Sequence, residues 1–323
     1  MNHERYMSTL TILICTHNRA ALLERVLASL NGARRPAAWR VDILVAANAC
    51  TDGTEALLES YEREQAGRGW LSLTWFPEPV PGKSNALNQA MPRVGGDIVA
   101  FVDDDHRVDD GFLLAICRAA DKYSDVDLFC GRIVPDWNGG EPAWVHDTGP
   151  YRIYPLPVPR YDLGAVPMEI HDEGPLPGGG NLFLRVSWLA RVGAFSTDFG
   201  PKGHDLGGAE DLEWVRRALA LGARLRYEPG VLQHHYVDNE RLRLGYLIRK
   251  AFERSSSSIR LRHSVEKVPL FVYRKALGYL AKGVFSLYWP RTRFFLVRFA
   301  AALGEIKGFR QVAREQASRV DGV

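Results

Sequence analysis

The sequence predicts an α/β protein whose mostly parallel sheet carries helices on both faces. Three observations lead there. Short apolar runs alternate with segments of helical periodicity from Leu10 to Val134. Polar loops, Thr16–Arg19, Asn48–Thr54 and Asp103–Asp105, follow three of the apolar runs, where ligands bind in such sheets. The 323 residues, 46% hydrophobic and 24% charged, suit one large domain or a domain with an appendage.

Taken in order, Leu10–Cys15 (LTILIC) reads as a buried strand. Ala20–Leu30 places Leu22, Leu23, Val26, Leu27 and Leu30 at helical spacing, and Gly32 marks the stop. A strand over Val41–Ala46 leads through a polar loop into a helix over Glu55–Tyr61. A third strand, Leu71–Phe76, is followed by a Pro/Gly turn at Pro79–Gly82 and a short helix, Ser84–Met91. A fourth, Ile98–Val102, runs into three aspartates; a helix over Gly111–Tyr123 and a strand over Leu128–Val134 come next. Pro135–Pro177, rich in Pro, Gly, Trp and Tyr, reads as irregular chain over the site. Helices follow at Ser187–Val192 and Glu210–Leu221, with a strand at Arg224–Tyr227. Beyond His263, Val268–Trp289 and Arg293–Leu303 read as two or three amphipathic helices separated by Pro290.

The net charge of +3 and the lack of a long basic run argue against a nucleic-acid partner. Cys15, Cys50, Cys117 and Cys130 show neither CxxC pairing nor zinc-ligand spacing, which suits a reducing cytoplasm. Met1–Thr9 lacks the apolar core of a signal peptide, and every long apolar stretch is broken by charge, so neither secretion nor a spanning helix is expected.

The segment FVDDDHRVDDGFL, Phe101–Leu113, carries the strongest chemical signal. At a strand end, Asp103 and Asp105 would point the same way and hold a hard cation, Mn²⁺ or Mg²⁺, beside substrate phosphates. A solvated acidic turn would look the same. Glu210 and Asp211 open a helix, where acidic residues also favour the dipole; as chemistry, such a carboxylate serves as a general base. His234–His235, after the strand-like segment Tyr227–Leu232, could complete a metal site made by Asp105 or be structural. Lys83, between a turn and a helix, could hold a diphosphate or be an ordinary surface lysine.

In this order the motifs TILICTHNRA (Thr11–Ala20), NACTDGT (Asn48–Thr54), PGKSNALNQA (Pro81–Ala90), DDD (Asp103–Asp105), GGGN (Gly178–Asn181), AEDLEW (Ala209–Trp214) and a late His resemble the family 2 glycosyltransferases of GT-A fold, from about Thr9 to about Arg262. The resemblance implies a catalytic domain over 1–262 and a basic helical region over 263–323. It implies inverting sugar transfer from a nucleotide-sugar donor, UDP-linked by preference, to a glycan or glycolipid hydroxyl in cell-surface polysaccharide or glycolipid synthesis. Thr16, His17, Asn18, Arg19, Asn48, Asp52, Lys83, Asp103 and Asp104 would meet the donor. Gly179, Gly180 and Asn181 would shape the sugar and acceptor side. Asp105, His235 and Asp103 would hold the metal, with His235 preferred to His234 by its distance to Arg241. Asp211 would be the base, supported by Glu210. One departure stands out: Ala47 occupies the position of an Asp that pairs with uracil in many relatives.

A sugar nucleotidyltransferase would carry a Gly-rich loop after the first strand, where Thr16–Arg19 stands instead. A non-catalytic sugar-binding module would be expected to have lost an acidic motif, yet Asp103, Asp105, Glu210 and Asp211 are all present. Lys and Arg dominate after Arg241, so the C-terminal helices could lie on the inner membrane face. They could equally pack on the catalytic domain or form a homodimer.

Overall fold

Alternation along the first strand divides the core between two faces. In β1 (Ser8–Thr16), Leu10, Ile12 and Ile14 point one way and Leu13 the other. The first set packs on Leu23, Val26, Leu27 and Leu30 of α1 (Ala20–Gly32), and the same layer takes in Leu58 of α2 (Thr54–Arg68) and Phe112 and Ile116 of α4 (Phe112–Lys122). On the other face Leu13 joins Leu87 of α3 (Lys83–Ala90), Leu182, Trp188 and Trp214. The computed structural model describes residues 7–197, 210–260 and 268–320. Ala209 of the AEDLEW motif, the 262/263 boundary and most of Met1–Thr9 lie outside the described residues.

The other strands are β2 (Trp39–Asn48), β3 (Ser72–Glu78), β4 (Ile98–Phe101), β5 (His106–Val108), β6 (Leu128–Asp136), β7 (Met168–Ile170), β8 (Leu182–Arg185) and β9 (Leu225–Tyr236). Their order is β3-β2-β1-β4-β8-β6-β9-β5, with β7 also on β9. The expected parallel pairing holds across β3-β2-β1-β4, where helices make the crossovers. Beyond β4 the sheet is mixed. β8, reached through irregular chain rather than a crossover helix, runs antiparallel to β4 and β6. β9 is parallel to β6 and antiparallel to β5 and β7.

β9 is longer than the sequence suggests. The strand-like run to Leu232 continues to Tyr236, and the ladder with β6 passes a register shift between Cys130 and Arg132. Gly131 makes that bulge workable, because a Cβ there would overlap the Val231 carbonyl oxygen. His234 and His235 therefore lie inside a strand, not after one. Helices α5 (Ser187–Val192) and α6 (Glu210–Ala220) fall where the periodicity puts them.

The chain divides into two compact units, Met1–Asp136 with Pro159–Tyr236, and Trp137–Val158 with Val237–Val323. The first holds the sheet. The second holds α7 (Leu244–Arg260), α8 (Leu270–Val284) and α9 (Trp289–Val320). Within it, Gly304 and Gly308 let α9 approach α7 closely: Cβ atoms there would overlap the Phe252 carbonyl and come 2.6 Å from that of Ser256. The buried Arg293 pairs with Asp147 at 2.7 Å. Pro290 sits in the first turn of α9, where its missing N–H costs nothing, so it starts that helix and separates it from α8. Among the described residues no helix is long and apolar enough to cross a membrane.

Candidate active site

Two loops at the carboxyl ends of β1 and β2 are tied together by their own side chains. Asn18 adopts a left-handed backbone (φ 52°), and its Oδ1 accepts from the Thr51 and Asp52 amides at 2.6 and 3.2 Å. His17 Nδ1 lies 2.6 Å from the Asn48 carbonyl. Asn48 donates to the carbonyls of Glu78 (3.2 Å) and Val80 (2.7 Å) and accepts from the Gly82 amide (2.8 Å). Asp52 accepts from the Ala20 amide at 3.1 Å and the Thr54 amide at 3.0 Å. Asn48 and Asp52 thus lie in the expected loop, but their side chains hold the scaffold. Ala47 is buried in β2, opposite Thr16.

The acidic run is a turn, not a strand end, closed by the His106 amide on the Asp103 carbonyl at 3.0 Å. Strand alternation does not apply there, yet Asp103 and Asp105 both approach His106 Nε2, at 4.0 and 3.7 Å. Asp103 meets Lys83 Nζ at 2.6 Å. Burial would push the Asp103 carboxyl up, but Lys83, His106 and His235 reverse this and hold it well below the usual carboxylate range. Burial would likewise lower Lys83, and the Asp103 charge, with Asp211 and Glu210 behind it, raises it instead. Both groups stay charged. Arg19 bridges Asp104 at 2.8 Å and Asp105 at 3.0 Å.

Asp105 belongs to a second group, in which one donor atom each from Asp105, His106 and His235 lie within 4.8 Å of one another. β5 and β9 put His106 directly across from His235, so both imidazoles emerge on one face. The other nitrogens of the rings are engaged: His235 Nδ1 donates to the Tyr236 carbonyl at 2.6 Å, and His106 Nδ1 meets Gln233 Oε1 at 2.9 Å. Each Nε2 then faces Asp105, at 3.6 Å from His235 and 3.7 Å from His106. Burial, opposed by Asp105, holds the His235 imidazole below its ordinary range and favours the neutral ring. Three candidate ligand atoms converge here, a set that fits a divalent cation, although Arg19 also reaches Asp105 Oδ2 at 3.0 Å. Of the expected metal residues, Asp105 and His235 are here. Asp103 pairs with Lys83 through Oδ1, with its Oδ2 4.0 Å from His106 Nε2, and His106 supplies the third ligand atom of the group. Sequence reasoning missed His106, although it directly follows the acidic run; only the β5–β9 pairing shows its partner. His234, one residue along the strand, faces the other way, 3.6 Å from Asp109.

The Gly178–Gly180 turn joins this group to Asp211. A Cβ at Gly180 would overlap Asp103 Oδ2 and come 2.8 Å from His106 Cε1. A Cβ at Gly179 would stand 3.0 Å from Asp211 Oδ2. Asp211, in the first turn of α6, accepts from the Gly179 amide and, at 2.7 Å, from the Leu212 amide. Asn181 is buried, with its Nδ2 on the Gly131 carbonyl at 2.5 Å. Glu210 is buried at the start of the same helix. Lys83, Asp103, Gly179 and Asp211 line one cleft together with Leu13, Phe101 and Phe195. Cys15 also lines it; burial pushes its thiol up to about 12, so it stays protonated and unreactive.

Known proteins resemble this chain in sequence and in fold. The chain is 26% identical over 272 residues to the pre-mycofactocin glycosyltransferase of Mycobacterium tuberculosis, covering 83% of this chain and 51% of that one; it spans about half the length of that relative. It is 22% identical over 251 residues to the succinoglycan biosynthesis protein ExoM of Rhizobium meliloti, covering 77% and 73%. In fold it is similar to the mannosyltransferase PcManGT from Pyrobaculum calidifontis, solved with GDP-Man and Mn²⁺, at TM-score 0.55 and 21% identity over 93% of this chain and 87% of that one. It is also similar to residues 1–349 of TarS from S. aureus, solved with UDP-GlcNAc, at TM-score 0.51 and 17% identity over 96% and 92%. These neighbours have the GT-A fold. Residues 11–179, more than half of the chain, match the family described as glycosyl transferase family 2, and the chain belongs to that family.

Proposed function

We propose that this chain transfers a hexosyl-type sugar from a nucleoside-diphosphate sugar to a hydroxyl of a glycan or glycolipid, with inversion, in cell-surface polysaccharide or glycolipid synthesis. Residues 1–262 form the catalytic part in this reading. The supporting observation is the Gly178–Gly180 turn, which brings Asp211 to one side and the Asp103, Asp105 and His106 side chains to the other.

Asp211 takes the proton of the attacking hydroxyl, and the fixed amides of Gly179 and Leu212 aim its carboxylate. Glu210 supports that helix end. Lys83, kept cationic beside Asp103, stabilises the charge growing on the departing diphosphate. Thr16, His17, Asn18 and Arg19 line the nucleotide side, on loops that Asn48 and Asp52 hold in register. Asp105, His106 and His235 hold a divalent ion; two imidazoles in the set favour Mn²⁺ over Mg²⁺, which prefers oxygen. Bound there, the ion supplies Lewis-acid neutralisation of the diphosphate. UDP remains the preferred carrier, with a base contact that cannot use Ala47.

The test is release of nucleoside diphosphate from a panel of UDP-, GDP- and dTDP-sugars, with Mn²⁺ and with chelator. Metal-dependent release from one class, lost in Asp105→Ala, supports the reading; metal-independent release, or none from any donor, refutes it.

A further inference from the structure

Helix α8 carries two apolar faces where a surface helix carries one. Val272, Ala276 and Gly283 are buried, within the layer that also holds Ala302 and Ile306 of α9. The opposite face, Leu270, Leu277 and Val284 at seven-residue spacing with Arg274 and Ala281 between, is exposed; Leu277 is 67% accessible. The stripe runs along about 22 Å of helix and continues into the turn before α9, where Phe285 is 85% accessible and Leu287 fully so. Tyr288 and Trp289 follow, both more than half exposed.

The charges around this patch have one sign. From Leu270 to Gly304 there are six Lys and Arg residues and no Asp or Glu. Lys275 pairs with Glu305 and Arg293 with Asp147. Arg274, Lys282 and Arg298 are exposed and have no carboxylate partner among the described residues. A second copy docking the same patch about a two-fold axis would set these cations against their own kind. An anionic lipid surface would neutralise them, take the apolar stripe below the headgroups, and place Tyr288 and Trp289 at the interface such side chains favour.

We infer that the α8 face and the Phe285–Trp289 turn form a peripheral docking surface for an anionic lipid bilayer. The inference stands independently of the transfer chemistry. The full chain is tested by co-sedimentation with phosphatidylcholine vesicles with and without phosphatidylglycerol. Three proteins are compared: the parent, Phe285→Ser/Leu287→Ser, and Arg274→Glu/Lys282→Glu. All altered side chains are exposed, and unchanged circular dichroism melting verifies the fold.

The parent is expected to bind only the anionic vesicles. Each double variant should bind at least about tenfold more weakly, and added salt should weaken the parent's binding. No binding by the parent, or equal binding by all three proteins, overturns the inference. So does a dimer in sedimentation velocity that Phe285→Ser/Leu287→Ser dissolves while vesicles bind none of the three; that result would assign the face to a second copy.

Discussion

Replacing Asp211 by Asn removes the proposed base while changing little else in the cleft. The carboxylate accepts two amide hydrogens, Gly179 N–H on Oδ2 and Leu212 N–H on Oδ1. An amide side chain has one oxygen, so one of those N–H groups would face an NH₂. Loss of that contact costs about 1–3 kcal/mol of stability, and the lost charge at the α6 N-terminus adds about 0.3–1 kcal/mol. The variant should fold, with a melting point lower by several degrees. The rate effect is larger, because a positioned general base contributes about 10²–10⁴-fold, or roughly 3–5 kcal/mol. The assay measures sugar transfer with the donor and acceptor that the parent uses, alongside calorimetric nucleotide affinity in Mn²⁺. The expected result is a rate at least about a hundredfold lower, with nucleotide affinity nearly unchanged. Turnover within about tenfold of the parent would refute the base assignment. Loss of nucleotide affinity in step with the rate would show that Asp211 acts through the structure of the cleft.

Three further outcomes follow from the same geometry. Gln233→Ala removes the acceptor that orients His106, and should weaken Mn²⁺ affinity by about 10–100-fold, as measured by calorimetry; an unchanged affinity would remove His106 from the metal set. Gly180→Ala would drive a methyl group into Asp103 Oδ2, displace it from Lys83, lower transfer by about tenfold or more and lower the melting point; parental activity would show that the turn tolerates a side chain. Asp162 accepts from Arg132, Arg160 and the Gly164 amide. Burial would push its carboxyl up, but these bonds bring it down from 3.8 to about 2. Its folded value lies below its unfolded value, so its stabilisation is full above pH ~4 and is lost as the pH falls toward ~2. Asp162→Asn should cost up to about 2 kcal/mol in urea unfolding at pH 7, and less at pH 3; a pH-independent difference would refute the ionic origin.

Where local pattern and long-range pairing agree, the fold is legible in the sequence. LTILIC is both apolar and β-branched, Leu23, Val26, Leu27 and Leu30 keep helical period, and glycine or proline marks most of the ends. The β3-β2-β1-β4 half of the sheet therefore follows from the residues themselves. The other half does not. β5 and β7 are three residues each and exist only by pairing with β9. β9 runs on past Leu232 to Tyr236, held by its ladder to β6. The Leu244–Arg260 segment carries helical period, but no motif drew attention to it. The site divides the same way. Lys83, Asp211 and the glycine turn come together around one cleft, whereas Asp105 and His235 meet through a turn and a strand that local pattern places differently. Asp103 and Asp105 come near one another around His106 by a turn rather than by i, i+2 alternation, because the acidic run turns before strand geometry applies. His106 stayed hidden because its partner lies across a strand pair that no local pattern announces.

The central claim, a nucleotide-sugar site that depends on Asp105 and its two histidines, is tested most directly by calorimetric titration of UDP, GDP and dTDP into the parent protein and Asp105→Ala, with and without Mn²⁺. The account predicts that one nucleotide binds the parent only when Mn²⁺ is present and does not bind the variant. Equal binding with and without metal, or binding that survives in Asp105→Ala, would contradict it.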